Sequence, residues 1–249
     1  MQATLSMPAS PAAVQPAAAA SAPRFDMYAF IHKALRSCMT DTLCRVGRVD
    51  VDDGADLEAT LARLDGLLDF CVGHLQHEND FVHAAIDARL PAGSRRTADD
   101  HVEHLEAIAD LRDEAQALRD AVPAARPALA LRLYRHLALF VADNFQHMHI
   151  EETANNAMLW AHYDDAELMA IHGRLLASIA PQEHLTVARW MVPALSPAER
   201  AVVVGEARRN APPQAFAATM QAVRPHLDDA AWRKLAPVAG GAPSVLPQA

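Results

Sequence analysis

The chain has 249 residues, and 22 Lys and Arg against 31 Asp and Glu give it a formal charge of −9, which argues against a nucleic-acid groove or an anionic membrane surface as partner. Only 9 glycines accompany a hydrophobic fraction of 51%, too few for a Gly-rich phosphate loop or a many-turned β-sandwich. Cys38, Cys44 and Cys71 form no CxxC pair, so a disulfide framework and a thiolate zinc site are poor readings and a reducing cytoplasm fits best; the 13 histidines are the feature to explain.

Residues 1–23 are rich in Ala, Pro and Ser, without a basic start or an unbroken apolar stretch. They read as a disordered tail and not as a signal peptide. No later segment approaches the roughly 18 to 20 apolar residues of a membrane span. From Phe25 onward, apolar residues recur every three or four positions. Phe25, Tyr28, His32, Leu35, Met39, Thr42 and Val46 form the seam of a first helix that ends in the polar stretch from Gly47 to Gly54. A second helix, with Asp56 as its expected N-cap, carries Leu57, Leu61, Leu64, Leu68, Cys71, Leu75 and Glu78. Leu90-Pro91-Ala92-Gly93 stops it. Thr97 or Asp99 is expected to cap a third helix with His101, His104, Ile108, Leu111, Ala115 and Leu118 on its seam. After Pro123 and Pro127, a fourth helix carries Leu133, Leu137, Phe140, Asn144, His147 and Glu151.

Long amphipathic helices joined by short connections predict an all-α, up-down-up-down four-helix bundle over residues 24–163. Shorter helices follow over 164–236, punctuated by Pro181, Pro197, Pro212-Pro213 and Pro225. Ser196-Pro197-Ala198-Glu199 has the form of a capping box with proline at the first helical position. Residues 237–249 read as a flexible tail.

His32, Glu78, His101, His104, His147 and Glu151 occupy seam positions that the spacing reserves for buried apolar groups, and His74 lies one turn before Glu78. Residues four apart project from nearly the same face, so His74/Glu78 and His147/Glu151 each form a two-pronged group, as do His101 and His104 three apart. Along an antiparallel bundle these groups fall early, late, early and late, which brings all seven to one end. Buried carboxylates without partners are costly, and metal cations remove that cost by accepting neutral imidazole and carboxylate together. Seven ligands exceed one tetrahedral zinc. They suit two first-row ions, and two irons bridged by Glu78 and Glu151 are expected.

With these residues the chain resembles the hemerythrin-type (HHE cation-binding) four-helix proteins over roughly Phe25 to Tyr163. The motifs that carry the resemblance are His32, His74-Leu-Gln-His-Glu78, His101/His104 and His147-Met-His-Ile-Glu151. It implies a non-haem di-iron centre. Two features depart from the oxygen-carrying members: His101 and His104 are spaced by three where HxxxH is usual, and Glu151 or Glu152 stands where an aspartate is usual. Which helix-three histidine binds, or whether both do, stays open.

The resemblance implies binding of O2, NO or a related small oxidant at the less fully ligated iron, for sensing, storage or stress protection. Leu75, Phe81, Ile108 and Phe140 are expected to keep water out. An enzyme, such as a di-iron peroxidase or NO-consuming protein, is the alternative, with His77 and Glu152 as candidate proton donors. A metal-free helical interaction protein is the third reading. The remaining histidines, His83 among them, read as surface or ordinary core residues, His149 as a neighbour of the ligands, and Cys71 as a buried apolar group.

Overall fold

The computed structural model describes residues 24–240, and every regular element among them is helical. The tail expected over 1–23 lies outside the described residues, as do residues 241–249. Helix α1 (Ala29–Gly47) begins where the Asp26 carboxylate accepts the N–H groups of Tyr28 and Ala29. Helix α2 (Gly54–His77) is capped by Asp53, whose side chain accepts from Ala55 and Asp56. The cap is therefore three residues earlier than Asp56. Asp56 instead serves the α1–α2 link, accepting from Arg45 Nη2 at 2.6 Å and from the Asp50 N–H at 3.0 Å.

Helix α2 passes without a break into a π-helical turn (Glu78–His83) and then α3 (Ala84–Arg89). The return is tight: a Cβ at Gly93 would stand 2.9 Å from the Leu90 carbonyl oxygen, which explains the glycine. Asp87 accepts both the N–H and the hydroxyl of Ser94 and fixes this turn, so α4 (Arg95–Asp120) starts ahead of both expected caps. Thr97 lies inside the helix and donates to the Ser94 carbonyl. A 3₁₀ turn at Pro123–Ala125 leads into α5 (Arg126–Ile150), which carries Pro127 in its first turn, where the missing N–H costs nothing. A second π turn (Glu151–Asn155) joins α5 to α6 (Asn156–His162).

Helix α1 packs against α2 and α5, and α4 packs against the same two helices. Leu35, Met39, Leu61, Leu64, Leu68, Leu111, Leu118, Leu133 and Leu137 fill the space between them, each essentially inaccessible to solvent. Burial of each such side chain contributes about 1.5–3 kcal/mol. The apolar seams thus define a common interior, and their polar interruptions fall inside it.

Helices α7 (Asp165–Ser178), α8 (Pro181–Ala194), α9 (Pro197–Asn210), α10 (Pro213–Val223) and α11 (Asp229–Ala239) complete the described chain. Capping boxes at Asp164/Glu167 and Ser196/Glu199 start α7 and α9. Helix α8 lies along α1, where Val187, Trp190 and Met191 pack on the central core. Val192, Val204, Val223, Leu227 and Leu235 form a separate apolar cluster among α8–α11. Helix α11 runs past Pro237, which the sequence reading assigns to a tail, and ends at Gly240 with φ 79°. Pro237 sits in the last turn, where a lost backbone bond matters least. No helix among the described residues is long and apolar enough to cross a membrane.

Candidate metal centre

The start of α1, the end of α2, the start of α4 and the end of α5 deliver buried side chains to one place. His32 Nε2 lies 3.4 Å from both Glu78 Oε1 and Glu151 Oε2, and His74 Nε2 lies 3.1 Å from Glu78 Oε1. On the other side of the two carboxylates, His147 Nε2 is 3.3 Å from Glu151 Oε2, and His101 Nε2 is 3.5 Å from Glu78 Oε2. These side chains form two groups able to hold a metal ion: His32, His74, Glu78 and Glu151, and Glu78, His101, His147 and Glu151. Within each group one donor atom per residue lies within 4.8 Å of every other. Both glutamates belong to both groups.

The donor set fits cations better than it fits hydrogen bonding within itself. Glu78 Oε2, both Glu151 carboxylate oxygens and His74 Nε2 are buried without a hydrogen-bond partner, although opposing nitrogens lie 3.1–3.8 Å away. Such atoms are close but misaligned for donation. Three orphaned carboxylate oxygens and an orphaned imidazole nitrogen would be costly in a dry interior, and coordination removes the cost. In the metal-free chain, protons take that role in part. Burial raises Glu78 and lowers His32. The contacts prevail over both effects, holding the Glu78 carboxyl near 2 and His32 well above its usual value. Burial likewise opposes the charged forms of Glu151 and His147, yet His101, His147 and His32 keep Glu151 well below the carboxylate range, and Glu151 lifts His147 to about 9. Burial dominates at His101, which is lowered.

A ring of outer side chains orients these imidazoles. His32 donates through Nδ1 to Glu152 Oε1 at 3.0 Å, and Arg36 grips both oxygens of the same carboxylate at 2.6 and 3.0 Å. His147 donates through Nδ1 to Asp100 at 3.1 Å, and His101 through Nδ1 to Asn79 at 2.8 Å. Each arrangement leaves Nε2 turned into the cluster, where those of His101 and His147 also meet each other at 3.0 Å; outer partners at Nδ1 commonly fix metal-binding imidazoles in this way. Glu151, wholly buried, is thus the helix-five carboxylate in the cluster, and Glu152 is its neighbour's support.

His104 is brought close but turned away. Its Nε2 contacts Asp143 of α5 at 2.8 Å, and its ring meets His147 edge-on at 4.9 Å; it belongs to neither group. His83, read from the sequence as an ordinary residue, is buried beside the cluster. Its ring stacks on His101 at 4.7 Å, and its Nε2 is 3.8 Å from Glu151 Oε1 and 3.1 Å from the Thr97 hydroxyl. The π turn explains both the position and the oversight. In an α-helix, residues five apart point in different directions. The wider i to i+5 step of a π turn keeps His83 on the side of the chain that faces the cluster, where it meets His101 and Glu151. The only signal available in the sequence is that spacing of five, which α-helical periodicity discards.

A cavity of about 10 Å³, at the lower limit for one water molecule, adjoins both groups; Leu35, Met39, Cys71, His74, Leu75, Asn144, His147 and Met148 line it. Leu75 is the one of the four expected shielding residues on its wall. Ile108 and Phe140 pack in the central core, and Phe81 lines an open surface cleft with Tyr163 and Ile171. His77 faces outward to Glu183 of α8 at 2.8 Å, and His149 is exposed. Burial raises the Cys71 thiol strongly, so it stays neutral. Comparison with family models, with curated proteins and with solved structures finds no match.

Proposed function

We propose that the chain is a hemerythrin-type four-helix protein that holds two non-haem iron ions bridged by Glu78 and Glu151 and binds O2, NO or a related small oxidant for sensing, storage or stress protection. The observation that carries this reading is that two buried imidazole–carboxylate groups share both glutamates. Two ions held there would neutralise both carboxylates at once, with His32, His74, His101 and His147 as the further donors.

When bound, iron supplies reversible one-electron chemistry toward a small ligand. The chain supplies the rest. His32, His147 and His101 are oriented through Nδ1 by Glu152, Asp100 and Asn79, so each Nε2 already faces the cluster, and at His32 and His147 it becomes a ligand once a metal displaces its proton. Leu35, Met39, Leu75 and Met148 make the cavity wall apolar and keep bulk water from the donors. The cavity is too small for any larger substrate, so only a ligand of very few atoms is compatible with it.

Binding with a reporting role is favoured over catalysis by what surrounds the centre. The two residues an enzyme would use as proton donors are already engaged, His77 with Glu183 and Glu152 with Arg36 and His32. Lys33, next to His32, bonds Glu199 of α9 at 2.5 Å, while His77, next to Glu78, holds α8. The C-terminal helices therefore touch the immediate chain neighbours of two candidate ligands. Anaerobic loading with Fe(II) followed by air is expected to produce a visible charge-transfer band that argon removes. Steady consumption of H2O2 without such a band would favour the enzyme, and an unchanged spectrum would refute small-ligand binding.

A further inference from the structure

The two groups are unequal in their surroundings. Both border the cavity, one through His74 and the other through His147. The His101/His147 group has a further imidazole beside it, and that imidazole is His83.

His83 is buried, with 4% of its surface exposed. It stacks on His101 with ring centroids 4.7 Å apart, nearly the 4.8 Å that separates the rings of His101 and His147, which do share a group. Ring separation alone would also admit His104, at 4.9 Å from His147. The nitrogens decide between them. His83 Nε2 lies within 3.8 Å of Glu151 Oε1, whereas the Nε2 of His104 bonds Asp143, whose side chain is 64% exposed. His83 thus faces the shared carboxylate, and His104 faces the surface.

Thr97 holds His83 in place meanwhile. The Thr97 hydroxyl donates to the Ser94 carbonyl and accepts from Asn155 Nδ2, so its contact with His83 Nε2 leaves the ring one neutral partner and His83 Nδ1 none. Such a ring is poorly satisfied as a structural histidine; His104 shares the unpartnered Nδ1, but its Nε2 is bonded to a carboxylate, so the partner at Nε2 is what separates the two.

Resting on the two-iron reading above, we infer that His83 is the third imidazole of the His101/His147 group and that His104 is not a ligand. With Glu78 and Glu151 this group then offers five donors, against four for the His32/His74 group. An ion on the His32/His74 side would then have fewer protein donors than its neighbour, while the cavity, lined by both His74 and His147, borders the two groups alike. The same π turn that begins with Glu78 thus delivers two donors, one at each of its ends.

The test is an anaerobic Fe(II) titration against a competing chelator, run on the full chain and on His83→Gln, His104→Gln and Thr97→Val, with helicity checked by circular dichroism. His83→Gln is expected to weaken one of two ions about ten- to a hundredfold or more. His104→Gln is expected to keep both at the affinities of the unaltered chain. Thr97→Val distinguishes ligation from mere support of Thr97. If His83 acts only through that hydroxyl, the two variants lose iron alike, and the inference fails. Should His83→Gln bind two ions as tightly as the unaltered chain, or should His104→Gln be the variant that loses one, the inference is overturned while the two-iron reading stands. An unaltered chain that takes up no iron overturns both. Should His83→Gln fold poorly, His83→Asn, judged by the same titration, replaces it.

Discussion

Glu152 is where support and ligation can be told apart. Its carboxylate accepts from His32 Nδ1 at 3.0 Å and is clamped by Arg36, and it takes no part in either candidate group. Glu152→Ala removes the acceptor for a ring that is wholly buried. An N–H left unsatisfied there costs about 1–3 kcal/mol. At about 2–4 °C per kcal/mol for a chain of this size, the metal-free melting temperature should fall by several degrees. Arg36 is partly exposed and is rehydrated, so it adds little. Loss of such an outer partner also weakens metal affinity about ten- to a hundredfold, equivalent to about 1.4–2.7 kcal/mol. The weakening should fall on one ion of two, the one on the His32 side. Glu152→Gln keeps an oxygen for His32 and should recover most of the melting temperature and part of the affinity. Chelator-competition titration and thermal denaturation measure the two effects. If Glu152→Ala removed iron as completely as Glu151→Ala, Glu152 would be a ligand and the assignment here would be wrong. If neither affinity nor melting temperature moved, it would not be a support.

Iron affinity should climb from pH 6 to about pH 9. Burial lowers His147, but Glu151 and Glu78 raise it to about 9, so a ligating metal must displace its proton. The stability of the metal-free fold should move the opposite way, because a raised histidine stabilises below its unfolded value and loses that contribution as pH rises through 9. A pH-independent affinity would contradict this. Alkylation of the native protein at pH 8 should label Cys44 alone, since burial pushes Cys38 up to about 12 and Cys71 higher still, and labelling of all three without unfolding would show that the α1–α2 core opens. Hydrogen bonding from Lys33 and from the Ser196 backbone brings the Glu199 carboxyl down to about 2. The pair's contribution should be present above about pH 4.5 and vanish as pH falls through 2. Because the pair is solvent-accessible, Lys33→Met should cost no more than about 1 kcal/mol at pH 7 in a denaturant titration.

Much of the fold and the site could be read from the sequence wherever a single periodicity ran unbroken. The Leu61–Leu64–Leu68 and Leu133–Leu137 seams keep α-helical spacing, and the residues interrupting them, His32, Glu78, His101, His147 and Glu151, are those the structure gathers. The two π turns are where this reasoning stops working. They change the angular step by one residue, so His83 returns to the site although α-helical spacing turns it away. At His104 the offset works the other way: three residues beyond His101 is about 60° around the helix, enough to carry its ring to Asp143. Neighbours in sequence, such as Asn79 beside Glu78 and Asp100 beside His101, are rotated about 100° and so reach across to the imidazoles of other helices, a contact no single-helix pattern contains. The helix starts were misplaced for a local reason. Asp53, Asp56 and Asp50 all offer cap chemistry, and only the link to Arg45 decides which one is used.

The central claim is that Glu78 and Glu151 together hold two metal ions. The equilibrium number of Fe(II) ions bound per chain under anaerobic conditions, determined on protein without a histidine tag, tests it most directly. The account predicts saturation at two ions for the unaltered chain, with tight binding lost in Glu151→Ala. Saturation at one ion or none, or an unchanged count in Glu151→Ala, would contradict it.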